Sequence, residues 1–303
     1  MPDAEFRSYH GQPVLKPPVW RPEVPWYLFA GGLAGGSALL ASAARRRGND
    51  GLARRALLTS FAAVSVSPVL LVRDLGRPGR FLNMLRVFKV TSPMSVGSWI
   101  LAADGAVTAV AAGCEVLGAL PRVRDGAERM AAMLGAPLAT YTAVLLSDTA
   151  VPAWHEGWSE LPVIFASSAL ASAGAAGVVL TPVADARPAL RVAVGGAVIS
   201  LAATEVCERR LGPVGEPYRQ GRAGRLMRAA KCLVGAGAGL LLLCGRRRAG
   251  AVTGGVALLA GCACERWAVF EAGVQSARDP AATVVPQRAR ASASAPVYAS
   301  RTH

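Results

Sequence analysis

The sequence predicts an all-α fold, a polytopic membrane bundle of about eight transmembrane helices arranged as two four-helix units. Only 17% of its 303 residues are charged and 52% are hydrophobic, whereas soluble domains are about 25% charged. The apolar residues form continuous runs of the roughly 20 residues that a spanning helix needs, without the alternation of a transmembrane β-strand. Eight such runs cover approximately residues 25–44, 53–72, 94–118, 130–152, 161–183, 188–207, 229–245 and 249–268.

Glycine spacing in the first and seventh runs predicts tightly packed helices. The first run, "PWYLFAGGLAGGSALLASAA", pairs Gly31 with Gly35 and Gly32 with Gly36. Small residues four apart let two helix backbones approach closely in lipid. The seventh run repeats the theme with alternating glycines across Gly235–Gly239.

Two flanking segments differ in composition from the membrane domain, which we place at residues 25–275. Residues 1–24 are polar and proline-rich, without the basic segment and short apolar run of a signal peptide. We therefore expect the first span itself to direct membrane insertion. Residues 276–303 are rich in Ala, Pro, Ser and Arg, which is typical of a flexible or partner-bound extension.

The connector after the second span is both basic and apolar. Eight spans place both ends of the membrane domain on one side, side A, and this connector lies on that side. Its stretch "LVRDLGRPGRFLNMLRVFKVTSPMS" predicts an amphipathic interfacial helix with Phe81, Leu85 and Phe88 toward the bundle. The charged residues that we expect to dock a partner or order the connector are Arg73, Asp74, Arg77, Arg80 and Arg86.

Composition excludes several classes of function. The net charge of +14 comes from residues that lie almost entirely between apolar runs, so lipid head groups and topology explain it and we expect no nucleic-acid partner. The six cysteines form no CxxC pair, which argues against zinc or iron–sulfur ligation. The histidines, His10, His155 and His303, all lie outside the spans, so a dihaem cytochrome b is excluded. Any electrons must therefore come from a partner.

Ionisable residues within spans are costly, and each is a functional candidate. Asp104 lies about ten residues into the third span, near mid-membrane, and Glu115 falls on nearly the same helix face. The two either mark a proton path from side B, opposite side A, or are a hydrogen-bonded bundle residue and an interfacial one. Glu205, near side A, either relays a proton or pairs with Arg209 on the next turn.

The fourth span offers a phenol and a carboxylate. Tyr141 lies near its middle, and Ser147 and Asp148 lie toward side A. A phenol can donate a hydrogen bond to a quinone carbonyl and stack on its ring. Alternatively, Tyr141 fills a helix interface. In the loop that follows, Trp154 and Trp158 are expected to be interfacial anchors.

Four segments together resemble one family, the polysulfide reductase membrane subunits (NrfD/PsrC-like), and the first of them is the amino-terminal "SYHGQPVLKPPVWRPEVPWYLFAGGLAGG". "DLGRPGRFLNMLRVFKVTSPMSVGSW" is similar to the signature after the family's second helix. "YTAVLLSDTAVPAWHE" resembles its fourth helix, and "ERWAVFEAGVQSARDP" resembles its last helix. The resemblance implies a quinone-reactive membrane anchor of a respiratory molybdopterin/iron–sulfur oxidoreductase in the cell membrane.

The resemblance also implies cofactors and partners. The quinone is menaquinone or ubiquinone, and this chain itself holds no haem or iron–sulfur cluster. The partners are a ferredoxin-like [4Fe–4S] subunit, a molybdopterin catalytic subunit and the lipid bilayer. The family's pocket includes a fourth-helix tyrosine, which matches Tyr141, and polar residues at the start of helix one. Here that start has no His or Asn and offers Glu23, Trp26 and Tyr27.

Two functional hypotheses compete. In the first, Asp104 and Glu205 handle protons, while Tyr141, Asp148, Trp26, Tyr27 and Glu23 bind the quinone. The second is a secondary transporter or a proton or ion channel, which would also use Asp104 and Glu115. Such transporters usually have broken helices and inverted repeats, and the sequence has neither clearly.

Overall fold

The computed structural model describes residues 15, 16, 18, 20–74, 79, 81–280 and 282–284. Within these ranges the chain is helical and has no strand. The helices are α1 (Glu23–Arg46), α2 (Asp50–Asp74), α3 (Phe81–Met84), α4 (Pro93–Leu117), α5 (Pro121–Ser147), α6 (Pro152–His155), α7 (Leu161–Leu180), α8 (Arg187–Arg210), α9 (Glu216–Arg219), α10 (Gly221–Cys244) and α11 (Arg248–Arg278).

Eight of these helices are long and apolar enough to cross a membrane, which confirms the predicted polytopic bundle. Each runs unbroken within its bounds, unlike the discontinuous helices typical of secondary transporters. The fourth span is α5, which begins at Pro121, nine residues before the predicted start. Its first turns carry charged residues, and one of them, Glu128, is buried inside the bundle. The last helix continues to Arg278 because the two charges at its centre, Glu265 and Arg266, face other helices and not lipid.

The bundle is organised around α1 and α7. In the first half of the chain, α1 packs on α2 and α5, and α4 packs on α5 and α2. In the second half, α7 packs on α8 and α11, and α10 packs on α11 and α8. The contacts of α1 and α5 with α7 join the halves. The arrangement agrees with two four-helix units that share a central seam.

Glycines allow the close helix contacts that the sequence predicts. A Cβ atom on Gly35 would lie 2.2 Å from the carbonyl oxygen of Gly135, and one on Gly36 would lie 2.5 Å from that of Ala169. Gly237 of α10 meets Gly254 of α11 in the same way, at 2.8 Å. These backbones touch at distances that no larger residue would permit.

On side A, Trp154 of α6 ties the end of α11 to the rest of the bundle. Its side chain is fully buried, and its indole N–H donates a 2.7 Å hydrogen bond to the carbonyl of Val269. Trp20 stacks on it at 5.3 Å. The prediction that Trp154 is an interfacial anchor is therefore wrong, because its indole packs against α11. Trp158, which is 65% exposed, has the exposure of such an anchor.

The connector between α2 and α4 differs from its prediction. Its described part has a single helical turn, α3, and continues as turns and extended chain. Phe88 is 56% exposed and packs edge-on against Trp99 of α4, with ring centroids 6.2 Å apart. Phe88 therefore does not point into the bundle. The side chain of Phe81 lies outside the described residues, as do Arg77 and Arg80.

Candidate functional site

A cavity of about 1030 Å³ opens on side A between the start of α4 and the end of α5. This volume is at the upper end of the range for small-molecule sites. Its walls are mainly apolar, with a few polar groups. The lining residues comprise an apolar set, Val90, Pro93, Val96, Pro137, Val144, Trp158 and Pro162, and a polar set, Thr91, Thr140, Tyr141, Ser147, Asp148 and Ser159.

Tyr141 is held in this wall by a glycine on the facing helix. A Cβ atom on Gly97 of α4 would lie 2.0 Å from Cε2 of the Tyr141 ring. The ring therefore lies directly on the α4 backbone, and no other amino acid at position 97 would leave room for it. This contact fixes the position of the phenol relative to the cavity.

The hydroxyl of Tyr141 is the unusual polar group of the cavity. It is buried and has no hydrogen-bond partner among the described residues. By contrast, the hydroxyls of Ser147 and Thr140 donate to carbonyls of their own helix, 2.9 Å and 3.2 Å away. A buried phenol without a partner loses free energy comparable to a lost hydrogen bond. Its O–H is available to a carbonyl group on a ligand.

Asp148 also lines the cavity, but on its exposed rim. It follows the last residue of α5, one turn beyond Val144, whose carbonyl accepts its backbone N–H at 2.9 Å. The structure thus brings together Tyr141 and Asp148 of the predicted pocket residues. They differ in environment, because the phenol is buried and the carboxylate reaches solvent or head groups.

Asp104 lies deeper in the membrane, on the same face of α4 as Gly97. The two residues are seven apart, or about 10 Å along the helix axis. Asp104 is fully buried, and neither carboxylate oxygen has a hydrogen-bond partner within the described chain. The buried hydroxyls of Thr108, one turn further along α4, and Thr142, next to Tyr141, are likewise without partners there. The predicted alternative of a hydrogen-bonded Asp104 is therefore not what the structure has.

On side B, a charge network surrounds Glu115. Arg45 of α1 contacts Glu115 of α4 at 2.9 Å and Glu128 of α5 at 3.1 Å, and Arg124 contacts Glu115 at 3.2 Å. Glu128 has only 2% of its side chain exposed. Glu115 is thus a largely buried, paired residue that links three helices near the side B end of α4.

Glu205 lies apart from these groups. It pairs with Arg209 at 2.8 Å and with Lys231 of α10 at 3.3 Å, and its side chain is 47% exposed. It does not line the Tyr141 cavity. Of the two alternatives for Glu205, the structure has the ion pair with Arg209, as their i, i+4 spacing favours.

The three predicted pocket residues on α1 are also outside the Tyr141 cavity. Trp26 lines a separate apolar groove of about 420 Å³ between α1 and α2. Tyr27 is buried in the hydrophobic core. Glu23 lies in the first turn of α1. Trp26 and Tyr27 point in different directions because successive helix residues are about 100° apart around the axis.

Arg73 and Arg86, two of the proposed docking residues, are exposed on side A and have no ion-pair partner among the described residues. Asp74 is instead occupied, since its carboxylate accepts a 2.9 Å hydrogen bond from the backbone N–H of Arg21. That contact orders the chain before α1. Asp74 therefore has a structural contact of its own, whereas Arg73 and Arg86 have no ion-pair partner among the described residues.

Sequence reasoning missed three features of the bundle. Gly97 carries no signal in a single sequence, since its role depends on the facing tyrosine. Glu128 fell outside the predicted span because the charges before it shortened the apolar run. Glu265 and Arg266 lay inside a predicted span, so their charge was a usable signal. Arg266 lies over the ring of Phe165 at 3.7 Å, and Glu265 accepts a 2.7 Å hydrogen bond from Ser200.

Within the described ranges no group of three or more His, Cys, Asp or Glu side chains is arranged to hold a metal ion. The Tyr141 cavity likewise has hydroxyls and one carboxylate, with no cysteine or histidine in its lining. These donors fit an organic ligand with hydrogen-bond acceptors better than a metal.

A family model described as polysulphide reductase, NrfD, matches residues 10–193. A comparison with curated proteins found no match. The matched region extends from before α1 into α8, so it contains the whole Tyr141 cavity, Asp104 and the side B charge network. The match covers more than half of the chain and agrees with the eight-helix bundle. The chain therefore belongs to the NrfD polysulphide reductase family, as a multi-pass membrane subunit of a reductase complex.

Proposed function

We propose that the chain binds a membrane quinone, menaquinone or ubiquinone, with its head group in the Tyr141 cavity. The observation that carries the proposal is the buried, unpartnered hydroxyl of Tyr141 in the wall of a largely apolar cavity. A quinone head group is a flat apolar ring with two carbonyl acceptors. It would fill the apolar volume and accept the hydrogen bond that Tyr141 donates.

Electrons would cross on side A, where a partner docks. Members of the family typically work with iron–sulfur and molybdopterin subunits. The cavity opens on the side that carries the exposed Arg73 and Arg86, so a [4Fe–4S] subunit bound to these arginines would lie next to the quinone. The assembly would be a respiratory oxidoreductase of the cell membrane, with this chain as its anchor.

Interconversion of a quinone and a quinol moves two electrons and two protons. The partner supplies or accepts the electrons, and this chain handles protons. The buried carboxyl of Asp104 is placed for that role, about 10 Å from the Gly97–Tyr141 contact along α4. An unpaired carboxylate so deeply buried is less stable than the neutral acid, so Asp104 would hold a proton until a nearby group takes it. The buried hydroxyls of Thr108 and Thr142, which have no partner among the described residues, would be available to such a proton.

The test compares two tyrosines of the assembled complex. Tyr141→Phe removes only the hydroxyl, so we expect quinone binding to weaken by roughly tenfold, since one hydrogen bond is worth about 1 kcal/mol and more in a buried site. Tyr27→Phe is the matched control, because Tyr27 is buried on α1 and lies outside the cavity. Equal quinone affinity and turnover in wild type and Tyr141→Phe would contradict the proposal.

A further inference from the structure

Another cavity, lined by arginines, lies at the opposite end of the bundle, on side B. It has a volume of about 680 Å³ and is bounded by the α7–α8 connection, the first turns of α8 and the end of α10. Three arginines line it: Arg187, Arg191 and Arg246. No acidic residue lines it. The cavity is therefore a concentrated positive site at the depth of lipid head groups.

The side chains of these three arginines have no partner within the described chain. All three are exposed, and none of their side chains makes an ion pair or hydrogen bond there. This contrasts with Arg45 on the same side of the membrane, which is paired with carboxylates. Asp185 of the α7–α8 connection does not neutralise them, because its carboxylate lies beside Gly51 of α2, outside the cavity.

The rest of the cavity wall is apolar and continues onto the lipid-facing surface. Val178, Leu190 and Leu241 form its inner wall. Leu242 also lines it and is 65% exposed, and the neighbouring Leu243 is 85% exposed. A ligand with an anionic end and long apolar chains would match both parts of this surface. Membrane phospholipids with a net negative charge have that structure.

The frame of the cavity is fixed by contacts that do not involve the three arginines. Arg248 donates hydrogen bonds to the carbonyl oxygens of Val178 and Thr181, at 3.3 Å and 3.0 Å, and so holds the end of α7 against α11. A Cβ atom on Gly245 would lie 2.7 Å from Leu190, so α8 and the end of α10 touch there. The positive end of the α8 dipole also faces side B.

We propose that this side B cavity binds one anionic phospholipid. Arg187, Arg191 and Arg246 would contact its phosphate, and its acyl chains would lie along the exposed leucines at the end of α10. Arginine suits this role because its guanidinium can make two parallel hydrogen bonds to a phosphate. The site belongs to the second half of the bundle and is independent of the proposed quinone site.

The test uses the full chain in a neutral detergent, with phosphatidylglycerol as the probe and native mass spectrometry or a binding titration as the readout. The cavity variant combines Arg187→Gln, Arg191→Gln and Arg246→Gln. Since one arginine near an anionic lipid contributes about a fivefold gain in affinity, we expect each single change to weaken binding about fivefold and the triple change on the order of a hundredfold. Added salt should weaken wild-type binding further.

A matched control removes the same charge from the same side of the membrane. Arg54, Arg122 and Arg129 are exposed at the side B ends of α2 and α5 and lie outside the cavity. Their combined change to Gln should leave affinity within about twofold of wild type, since it removes no contact. Changing the three cavity arginines to Lys keeps the charge but loses the paired hydrogen bonds, so the affinity should lie between those of wild type and the triple Gln variant.

Three results would overturn the proposal. The cavity and control variants could lose affinity equally, which would mean that overall charge decides binding. Phosphatidylcholine could bind as tightly as phosphatidylglycerol, which would remove the need for an anionic head group. Inorganic phosphate could bind as tightly as the lipid, which would make the site one for a free anion.

Discussion

The contact between Gly97 and Tyr141 provides a sensitive test of the proposed quinone site. In Gly97→Ala, the added methyl would lie 2.0 Å from the tyrosine ring. Carbon atoms in contact are about 3.5 Å apart at the closest favourable distance. The ring must therefore move by about 1.5 Å away from the α4 backbone, which shifts the hydroxyl of Tyr141 relative to the cavity that it lines.

This displacement should affect ligand binding more than folding. Overpacking of this kind costs about 1–3 kcal/mol of stability. A misplacement of about 1 Å at a reacting group costs about a hundredfold in rate. We therefore expect Gly97→Ala to lower quinone-linked turnover of the assembled complex by about a hundredfold, while the protein still folds and inserts.

Gly113→Ala is the matched control, on the same helix. A Cβ atom there has nothing within 4 Å, so the substitution should stabilise α4 by about 0.5–1 kcal/mol. Both variants are measured for thermal stability in detergent, quinone affinity and turnover. Normal quinone affinity and turnover in Gly97→Ala would refute the placement of the quinone beside Tyr141.

Three further predictions concern other parts of the bundle. Asp104→Asn should slow quinone-linked turnover by about a hundredfold and leave quinone affinity unchanged, since general acid–base groups contribute about that much; normal rates at all pH values would leave Asp104 no proton-handling role. Gly273→Ala should lower the thermal stability of the chain, because its Cβ would lie 1.9 Å from the Trp154 ring; an unchanged melting temperature would mean that Trp154 is not fixed there. Burial alone would raise the pKa of Glu160, but hydrogen bonds from Arg210 and Ser159 outweigh it and lower that pKa below 4.5. Ionised Glu160 therefore stabilises the folded chain above pH 4.5, and this stabilisation is lost as the pH falls through the lowered pKa. Glu160→Gln should therefore reduce the loss of melting temperature on acidification, and an identical acid profile would contradict this.

The sequence predicts the membrane architecture well because the bilayer constrains it strongly. Each span needs about 20 apolar residues and must satisfy its own backbone hydrogen bonds. The eight runs therefore correspond to eight helices. The predicted start of the fourth span is too late because a count of apolar residues treats charges such as Glu128 as external, although Glu128 is buried in the bundle.

Much of the site could not be read from the sequence, for geometric reasons. The direction of a side chain depends on the rotation of its helix in the bundle, which neighbouring helices decide. Trp26 and Tyr27 are adjacent in sequence, yet one lines a groove on the outside and the other lies in the core. Tyr141 and Asp104 were identifiable because a phenol and a carboxyl within an apolar span are rare.

Glu128 and Asp104 are buried carboxyl groups on adjacent helices, and their opposite surroundings imply opposite roles. Arg45 compensates Glu128 at 3.1 Å, whereas no described group compensates Asp104. Glu128→Gln should therefore destabilise the chain by about 2 kcal/mol, since it weakens a charged hydrogen bond. Asp104→Asn should leave thermal stability equal or higher, because it removes a carboxyl that has no partner to lose. A loss of stability in Asp104→Asn as large as that in Glu128→Gln would mean that Asp104 holds the bundle together. Its burial would then be explained by a structural role, without proton transfer.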